Sequence, residues 1–144
     1  MRLCPGNKIK NLKPEEIHNK YAPYWAAGLV IFAILGLSTT VRYFGELWNG
    51  YALDIFGPAW NYILFRGLFT KHTINKWRRF FTPARTFVIF ILVAGGIEAA
   101  QYFDLYDATW DPWDLLAYVS LLVPLFILDS IQSIFMNSNQ SEPR

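Results

Sequence analysis

Cysteine and histidine are scarce in this sequence, and their scarcity excludes several kinds of site. The one cysteine, Cys4, excludes an intramolecular disulfide and any metal site built from a cysteine cluster. The two histidines, His18 and His72, fall outside the apolar runs described below, so a haem held between two helical histidines is not expected. The sequence also has no glycine-rich phosphate loop and no Gly-x-Ser-x-Gly motif. We therefore expect no metal and no cofactor.

Charged residues are also few. They make up 17% of the chain, whereas about a quarter of the residues are charged in a typical soluble domain. Hydrophobic residues make up 53% and aromatic residues 18%, and the charges cluster so that long stretches are almost free of them. This pattern predicts a membrane protein that crosses the bilayer several times. The net charge of +2 gives no indication of nucleic-acid binding, because topology accounts for the two basic segments.

Four apolar runs have about the 20 residues that a helix needs to cross a bilayer. The sequence therefore predicts an all-α bundle of four transmembrane helices, after a basic segment at 1–20 and before a polar tail at 137–144. The bundle occupies residues 21–136, and the predicted spans are 21–40, 51–68, 86–103 and 115–135.

The second predicted span is the least apolar. Asp54, Pro58 and Asn61 share one helical face, which we expect to point into the bundle while the apolar side, including Ile63, meets lipid. Arg66 lies near the far end of this span, where its long side chain can extend to the membrane surface.

Lysine and arginine set the predicted orientation. They are concentrated before residue 21 and between residues 70 and 85, whereas the loop between the third and fourth spans has none. Positive loops remain in the cytoplasm, so both termini are expected to be cytoplasmic, in the inner membrane of a bacterial cell. The acidic loop that contains Asp104 and Asp107 is expected to face outward.

This topology brings several polar residues to one depth near the outer surface. Glu98 and Gln101 lie three residues apart on one helical face, and carboxylates within membrane spans are often functional. We expect a polar pocket there, in the half of the bundle nearest the outer leaflet. The residues predicted to line it are Arg42, Asp54, Asn61, Glu98, Gln101 and Asp114.

Simpler structural roles remain open for most of these residues. Asp111 and Asp114 flank Pro112 in the pattern of a helix start, with Asp111 as the cap. Asp54 is alternatively a solvated residue near the membrane surface. Glu98 has no comparable explanation, since a carboxylate inside a span needs a partner or a proton. A set of small residues predicts tight helix packing without chemistry: Gly95, Gly96, Ala99 and Ala100.

The loop between the second and third spans interleaves basic and aromatic residues. Lys76, Trp77, Arg78 and Arg79 are expected to contact anionic lipid headgroups rather than nucleic acid.

Short motifs in the second half of the chain resemble those of the VanZ-like family of small bacterial membrane proteins, named for a teicoplanin-resistance accessory protein. That family carries Glu-x-x-Gln late in one helix and Asp-Leu-Leu-Ala-Asn at the start of the next. Here Glu98-Ala-Ala-Gln101 is similar to the first motif and Asp114-Leu115-Leu116-Ala117 to the second. The resemblance implies a four-helix membrane protein that acts near the outer leaflet, without an established enzymatic activity.

The chain departs from the VanZ-like pattern at three places. Tyr118 replaces the usual asparagine, the loop before Trp113 lacks the arginine often found there, and Leu121 stands near the place of a glycine. The tyrosine is more similar to a sister group of uncharacterised four-helix bacterial proteins. In that group an arginine and an aspartate recur around the second helix, and Arg42 and Asp54 are their equivalents here.

Two classes of function follow. The first is a non-catalytic binding or accessory protein, with membrane lipids or the subunits of a larger membrane complex as partners. The alternative is an enzyme in which Glu98, the one catalytic candidate, works with Asp54 or Asp114 as an acid–base pair on a lipid-linked envelope substrate.

Overall fold

The computed structural model describes residues 13–73, 75–103, 105 and 111–138, and it is helical, with no strand among these residues. The predicted all-α class is therefore confirmed. Residues 1–12, Asp104, Asp107 and most of the predicted polar tail lie outside the described residues. The five helices are α1 (Pro14–Val41), α2 (Glu46–Arg66), α3 (Lys76–Phe80), α4 (Pro83–Tyr102) and α5 (Pro112–Ser138).

Three of these helices are long and apolar enough to cross a membrane. They are α1, α4 and the Trp113–Ser138 part of α5, each with an 18-residue stretch whose mean hydropathy is 1.8, 1.5 and 1.9, in that order. Their outer faces carry large exposed apolar side chains, such as Leu92 (69% exposed) and Ile134 (66%). Exposed apolar surface of this extent is expected of a protein that lipid surrounds.

The long helices extend beyond the predicted spans. Helix α1 already begins at Pro14, inside the basic segment at 1–20, and α2 already begins at Glu46, between two predicted spans. Trp48 and Asn49 on the first turn of α2 hydrogen-bond back to Ser38 and Thr39 of α1, so residues 42–45 form a tight connection. The long helices therefore alternate in direction: α1 and α4 end where α2 and α5 begin.

Helix α2 lies at the centre of the bundle and packs against α1, α4 and α5. Its Ala59, Tyr62 and Ile63 are completely buried and pack with Leu122 and Leu125 of α5. The expectation that the apolar side of α2 faces lipid is therefore wrong for Ile63. Because neighbouring helices enclose α2, it needs less apolar surface than a lipid-exposed helix.

Glycine allows α1 and α2 to approach closely. A Cβ atom added at Gly36 would lie 3.4 Å from the Cβ of Phe56. The small residues of α4 behave differently, because Gly95, Gly96 and Ala99 are exposed and a Cβ at either glycine would have no atom within 4 Å. The tight packing predicted for this set does not occur within the described chain.

The basic segment between α2 and α4 folds back against the ends of the long helices. Helix α2 ends at Gly67, whose φ of +60° is the left-handed conformation that glycine adopts readily at helix ends. The Asn75 side chain then caps α3, and Thr82 caps α4 with Pro83 in its first turn. We call this the basic end of the bundle, and we call the opposite end, where α2 and α5 begin, the acidic end.

Candidate functional site

The acidic end brings together residues from three helices. The Tyr51 hydroxyl of α2 donates a hydrogen bond of 2.7 Å to Oδ2 of Asp111, directly before α5. One turn further along α2, the Asp54 carboxyl group interacts with the Tyr118 hydroxyl of α5. These two contacts fix the start of α2 against the start of α5.

Three of the predicted pocket residues are close enough to interact electrostatically. Asp54 interacts with Asp114 and with Glu98, and Glu98 interacts with Asp114 and Asp111. Asp54 belongs to α2, Glu98 to α4 and Asp114 to α5. Asp111 lies directly before α5. We call Asp54, Glu98, Asp111 and Asp114 the acidic cluster.

Glu98 is the most unusual member of the cluster. It is only 8% exposed, and neither carboxyl oxygen has a hydrogen-bond partner among the described residues. The side-chain oxygen of Gln101, one turn further along α4, also has no such partner. An unpaired buried polar group costs about 1–3 kcal/mol. A ligand that formed hydrogen bonds with these two side chains would remove that cost. The described residues therefore do not supply the partner that a carboxylate inside a span needs.

Asp111 has the structural role that the helix-start pattern indicates. Its Oδ1 accepts a 3.0 Å hydrogen bond from the backbone N–H of Trp113, and its Oδ2 accepts the bond from Tyr51. These two hydrogen bonds lower the pKa of Asp111, with the backbone bond the larger cause. Asp111 is therefore a charged cap at the edge of the cluster, whereas Asp114 is half-buried in the first turn of α5.

Two predicted pocket residues make their described contacts elsewhere. Arg42 is exposed after the last turn of α1, with its guanidinium carbon 5.9 Å from the centre of the Phe44 ring. Asn61 is half-buried, and its Nδ2 donates a 3.0 Å hydrogen bond to the Gly57 carbonyl within α2. Neither contact joins these residues to Glu98.

The basic end contains a buried ion pair that sequence reasoning missed. The Arg66 guanidinium binds both carboxylate oxygens of Asp129, at 2.5 Å from Nε and 2.8 Å from Nη2. The Tyr62 hydroxyl donates a third hydrogen bond to Asp129, and Arg66 Nη1 donates to the Phe81 carbonyl. Arg66 was expected to extend to the membrane surface, but it is only 9% exposed because Asp129 supplies its counter-charge inside the bundle.

A second network joins α1 to the basic end. Trp25 Nε1 donates to the Gln132 side-chain oxygen at 2.8 Å, and Gln132 Nε2 lies 3.4 Å from Nδ1 of His18. Nε2 of His18 lies 2.8 Å from both the Thr70 carbonyl oxygen and Arg78 Nη2. The two histidines were placed outside the spans, yet His18 is 2% exposed within α1.

One feature of the sequence points to these two networks. Asp129 and Gln132 stand three residues apart on the apolar helix α5, as Glu98 and Gln101 do on α4. A carboxylate and an amide on one face of an apolar helix indicate polar partners on a neighbouring helix. At the basic end the described residues supply those partners, whereas at the acidic end they leave Glu98 and Gln101 incompletely paired.

The residues predicted to contact lipid headgroups separate into two kinds. Lys76, Trp77 and Arg79 are exposed on α3, and Trp77 is held in place by a 2.7 Å hydrogen bond to the Phe65 carbonyl. Arg78 is half-buried and its guanidinium points towards Gly67, Thr70 and His18. It therefore belongs to the interior of the basic end rather than to its surface.

The described residues contain no group of three or more histidine, cysteine, aspartate or glutamate side chains that could hold a metal ion. The two motifs of the VanZ-like resemblance, Glu98-x-x-Gln101 and Asp114–Ala117, both lie at the acidic end of the bundle. Comparisons of the chain with protein-family models, curated proteins and solved structures find no match.

Proposed function

We propose that this chain is a non-catalytic membrane protein of VanZ-like type, which binds a lipid, an envelope component or a partner subunit through the acidic cluster. The observation that carries this proposal is the Glu98 carboxyl group, which is buried and has no described hydrogen-bond partner. A buried polar group in a stable protein normally has a partner, so a ligand at this place would satisfy it. The neighbouring Gln101 oxygen offers a second acceptor for the same ligand.

The proposal includes a membrane span for α2, making four spans in all. At 21 residues α2 is about 32 Å long, close to the thickness of the hydrocarbon core of about 30 Å. Its position among α1, α4 and α5 supports the same conclusion, because a helix enclosed by three others shares their depth. Lysine and arginine at the basic end favour a cytoplasmic location for both termini, and the acidic cluster then faces the outer leaflet of the inner membrane.

The surface of α3 is proposed to contact the inner leaflet. Lys76, Trp77 and Arg79 are exposed side by side, and basic residues near an anionic membrane contribute about 1 kcal/mol each to binding. Replacing the two exposed residues Lys76 and Arg79 together by glutamine should weaken binding to anionic liposomes by about that amount per charge. Unchanged binding would leave the segment with a role in topology alone.

An enzyme is the second candidate, and the proximity of Asp54 to Glu98 favours it. Two carboxyl groups in different surroundings are suited to donate and accept protons in turn. The half-buried Asp54, which Tyr118 contacts, and the unpaired Glu98 differ in this way. The substrate would be a lipid-linked envelope component that reaches the cluster from the outer leaflet.

Native mass spectrometry of the full chain, purified in mild detergent, distinguishes an accessory subunit from a protein that binds a small molecule or lipid. A partner protein in fixed ratio supports an accessory subunit, whereas a retained small molecule or lipid supports a binding pocket. Glu46, an exposed acid in the first turn of α2, provides a matched control. If the bound species is lost equally from Glu98→Ala and Glu46→Ala, it is not held at the acidic cluster and the proposal fails.

A further inference from the structure

A partly open polar cavity of about 240 Å³ lies at the basic end, between α1, α2, α3 and α5. Its charged and polar lining includes His18, Arg66, His72, Arg78, Asp129 and Gln132. The rings of His18 and His72 meet edge to face with their centres 5.5 Å apart, so these two side chains approach the cavity together. This cavity lies at the opposite end from the acidic cluster and does not depend on the function proposed there.

The charges around the cavity do not balance. Asp129 is matched by Arg66, which binds both of its oxygens. Arg78 makes no ion pair within 4.0 Å among the described residues; its contacts are the carbonyl oxygens of Gly67 and Thr70 and the His18 ring. Burial, followed by the nearby Arg66, lowers the pKa of Arg78, but a guanidinium group remains charged at neutral pH. Among the described residues that line the cavity, two guanidinium groups therefore stand against one carboxylate.

Hydrogen-bond chemistry indicates that Arg78 and His18 turn two donors towards each other. The indole of Trp25 can only donate, so Gln132 must turn its oxygen to Trp25 and its amide group to Nδ1 of His18. Nδ1 then accepts, and a neutral His18 carries its proton on Nε2, which donates to the Thr70 carbonyl. Arg78 Nη2, 2.8 Å from that same nitrogen, consequently faces another donor. An anionic oxygen in the cavity would give the Arg78 guanidinium an acceptor in place of the His18 ring.

His72 supplies a further donor at the mouth of the cavity. Its backbone is held by a 2.9 Å hydrogen bond from the His72 N–H to the Asn19 side chain, so the ring is positioned beside Arg78. Burial, and then the charge of Arg78, lowers the pKa of His72. The Glu15 carboxylate raises the pKa of His72, and a bound anion would act in the same direction, so His72 is suited to strengthen the binding of an anion by accepting a proton.

An apolar groove of about 430 Å³ adjoins this region between α1 and α5. Gln132 lines both the groove and the polar cavity. The groove is otherwise formed by apolar and aromatic side chains, including Trp25, Phe32, Leu125 and Leu128. A polar, positively charged cavity beside an apolar groove matches the two parts of a membrane lipid.

We propose that the cavity at the basic end binds a phosphate oxyanion, carried by an anionic membrane lipid whose acyl chain lies in the adjoining groove. Arg78 is the principal ligand, and His72 donates a second hydrogen bond. The site is distinct from the surface contact of α3, because Arg78 is turned inward while Lys76 and Arg79 are exposed. Free phosphate offers the same oxyanion, and the experiment below distinguishes it from lipid as the ligand.

The test uses the full chain in neutral detergent and measures two ligands separately. Inorganic phosphate is titrated by calorimetry, and phosphatidylglycerol is titrated in mixed micelles with native mass spectrometry as the readout. Arg78→Gln should reduce phosphatidylglycerol affinity on the order of 10- to 100-fold, the effect of losing a hydrogen bond between charged groups. Arg79→Gln, which removes an exposed charge from the neighbouring position, should reduce it by no more than about 3-fold.

The pattern across variants decides the proposal. A loss of phosphatidylglycerol affinity in Arg78→Gln alone supports binding in the cavity. If inorganic phosphate binds weakly, the ligand is the lipid. If inorganic phosphate binds as tightly as phosphatidylglycerol, the ligand is free phosphate. Equal losses in Arg78→Gln and Arg79→Gln, or no loss in either, would overturn the proposal in favour of diffuse surface attraction. Should Arg78→Gln fail to fold, His72→Gln takes its place. A loss of several-fold in that variant supports the site, and wild-type affinity contradicts it.

Discussion

The ion pair between Arg66 and Asp129 gives the most quantitative prediction. Asp129 is completely buried and accepts two hydrogen bonds from Arg66 and one from Tyr62. Asp129→Leu would leave the Arg66 charge buried without its partner, and removing one member of a buried pair costs about 3–5 kcal/mol. We therefore expect the free energy of unfolding to fall by about that amount.

The double variant Arg66→Met with Asp129→Leu should be more stable than Asp129→Leu alone. Replacing both charges by apolar side chains removes the uncompensated charge, and such replacements are often neutral or stabilising. The Tyr62 hydroxyl would still lose its acceptor, at about 1–3 kcal/mol, and adding Tyr62→Phe should recover most of that loss. The three variants thus separate the charge from the hydroxyl.

Unfolding in mild detergent, titrated with a denaturing detergent and followed by tryptophan fluorescence, measures these differences. Arg79→Met serves as the control, because it removes an exposed arginine and should change stability by no more than about 0.5 kcal/mol. The reasoning would be refuted if Asp129→Leu cost no more than Arg79→Met. It would also be refuted if the double variant lost as much stability as the single variants Asp129→Leu and Arg66→Met combined.

Two further predictions concern topology and helix packing. Reporters fused after Gly50 and Asp107 should register outside the cell and a fusion after Lys71 inside; a cytosolic signal from the Asp107 fusion would contradict the orientation. Gly36→Leu should destabilise the bundle by about 1–3 kcal/mol through overpacking against α2, since even a Cβ atom added there would lie 3.4 Å from the Cβ of Phe56. Gly96→Leu has open space around it and should leave unfolding of the isolated chain nearly unchanged, so equal effects at the two glycines would refute the packing described here.

The parts of the structure that depend on hydropathy and depth could be predicted from the sequence. Long apolar runs predicted the three apolar helices because a helix surrounded by lipid needs apolar residues on its outer face. Helix direction and residue number predicted that Asp54, Glu98 and Asp114 lie near one another, and these three residues do interact electrostatically. Depth depends only on helix direction and residue number, both of which the sequence contains.

The rotation of each helix about its axis could not be predicted in the same way. Arg66 and Asp129 face each other because α2 and α5 turn particular sides together, and no sequence pattern on one helix specifies the side of the other. The same limit explains Gly95 and Gly96: small residues indicate where a close approach is possible, but not whether the partner belongs to the same chain. His18 was missed because α1 begins before its apolar run, so a polar residue joined the interior.

The central claim is that Glu98 holds a ligand at the acidic cluster. Its most direct test is native mass spectrometry on wild type, Glu98→Gln and Glu98→Ala, with the retained partner or lipid as the readout. Glutamine keeps the shape of the side chain and an oxygen acceptor, so Glu98→Gln should retain the bound species, whereas Glu98→Ala should lose it. If both variants fold and retain the bound species as wild type does, Glu98 holds no ligand and the claim is contradicted.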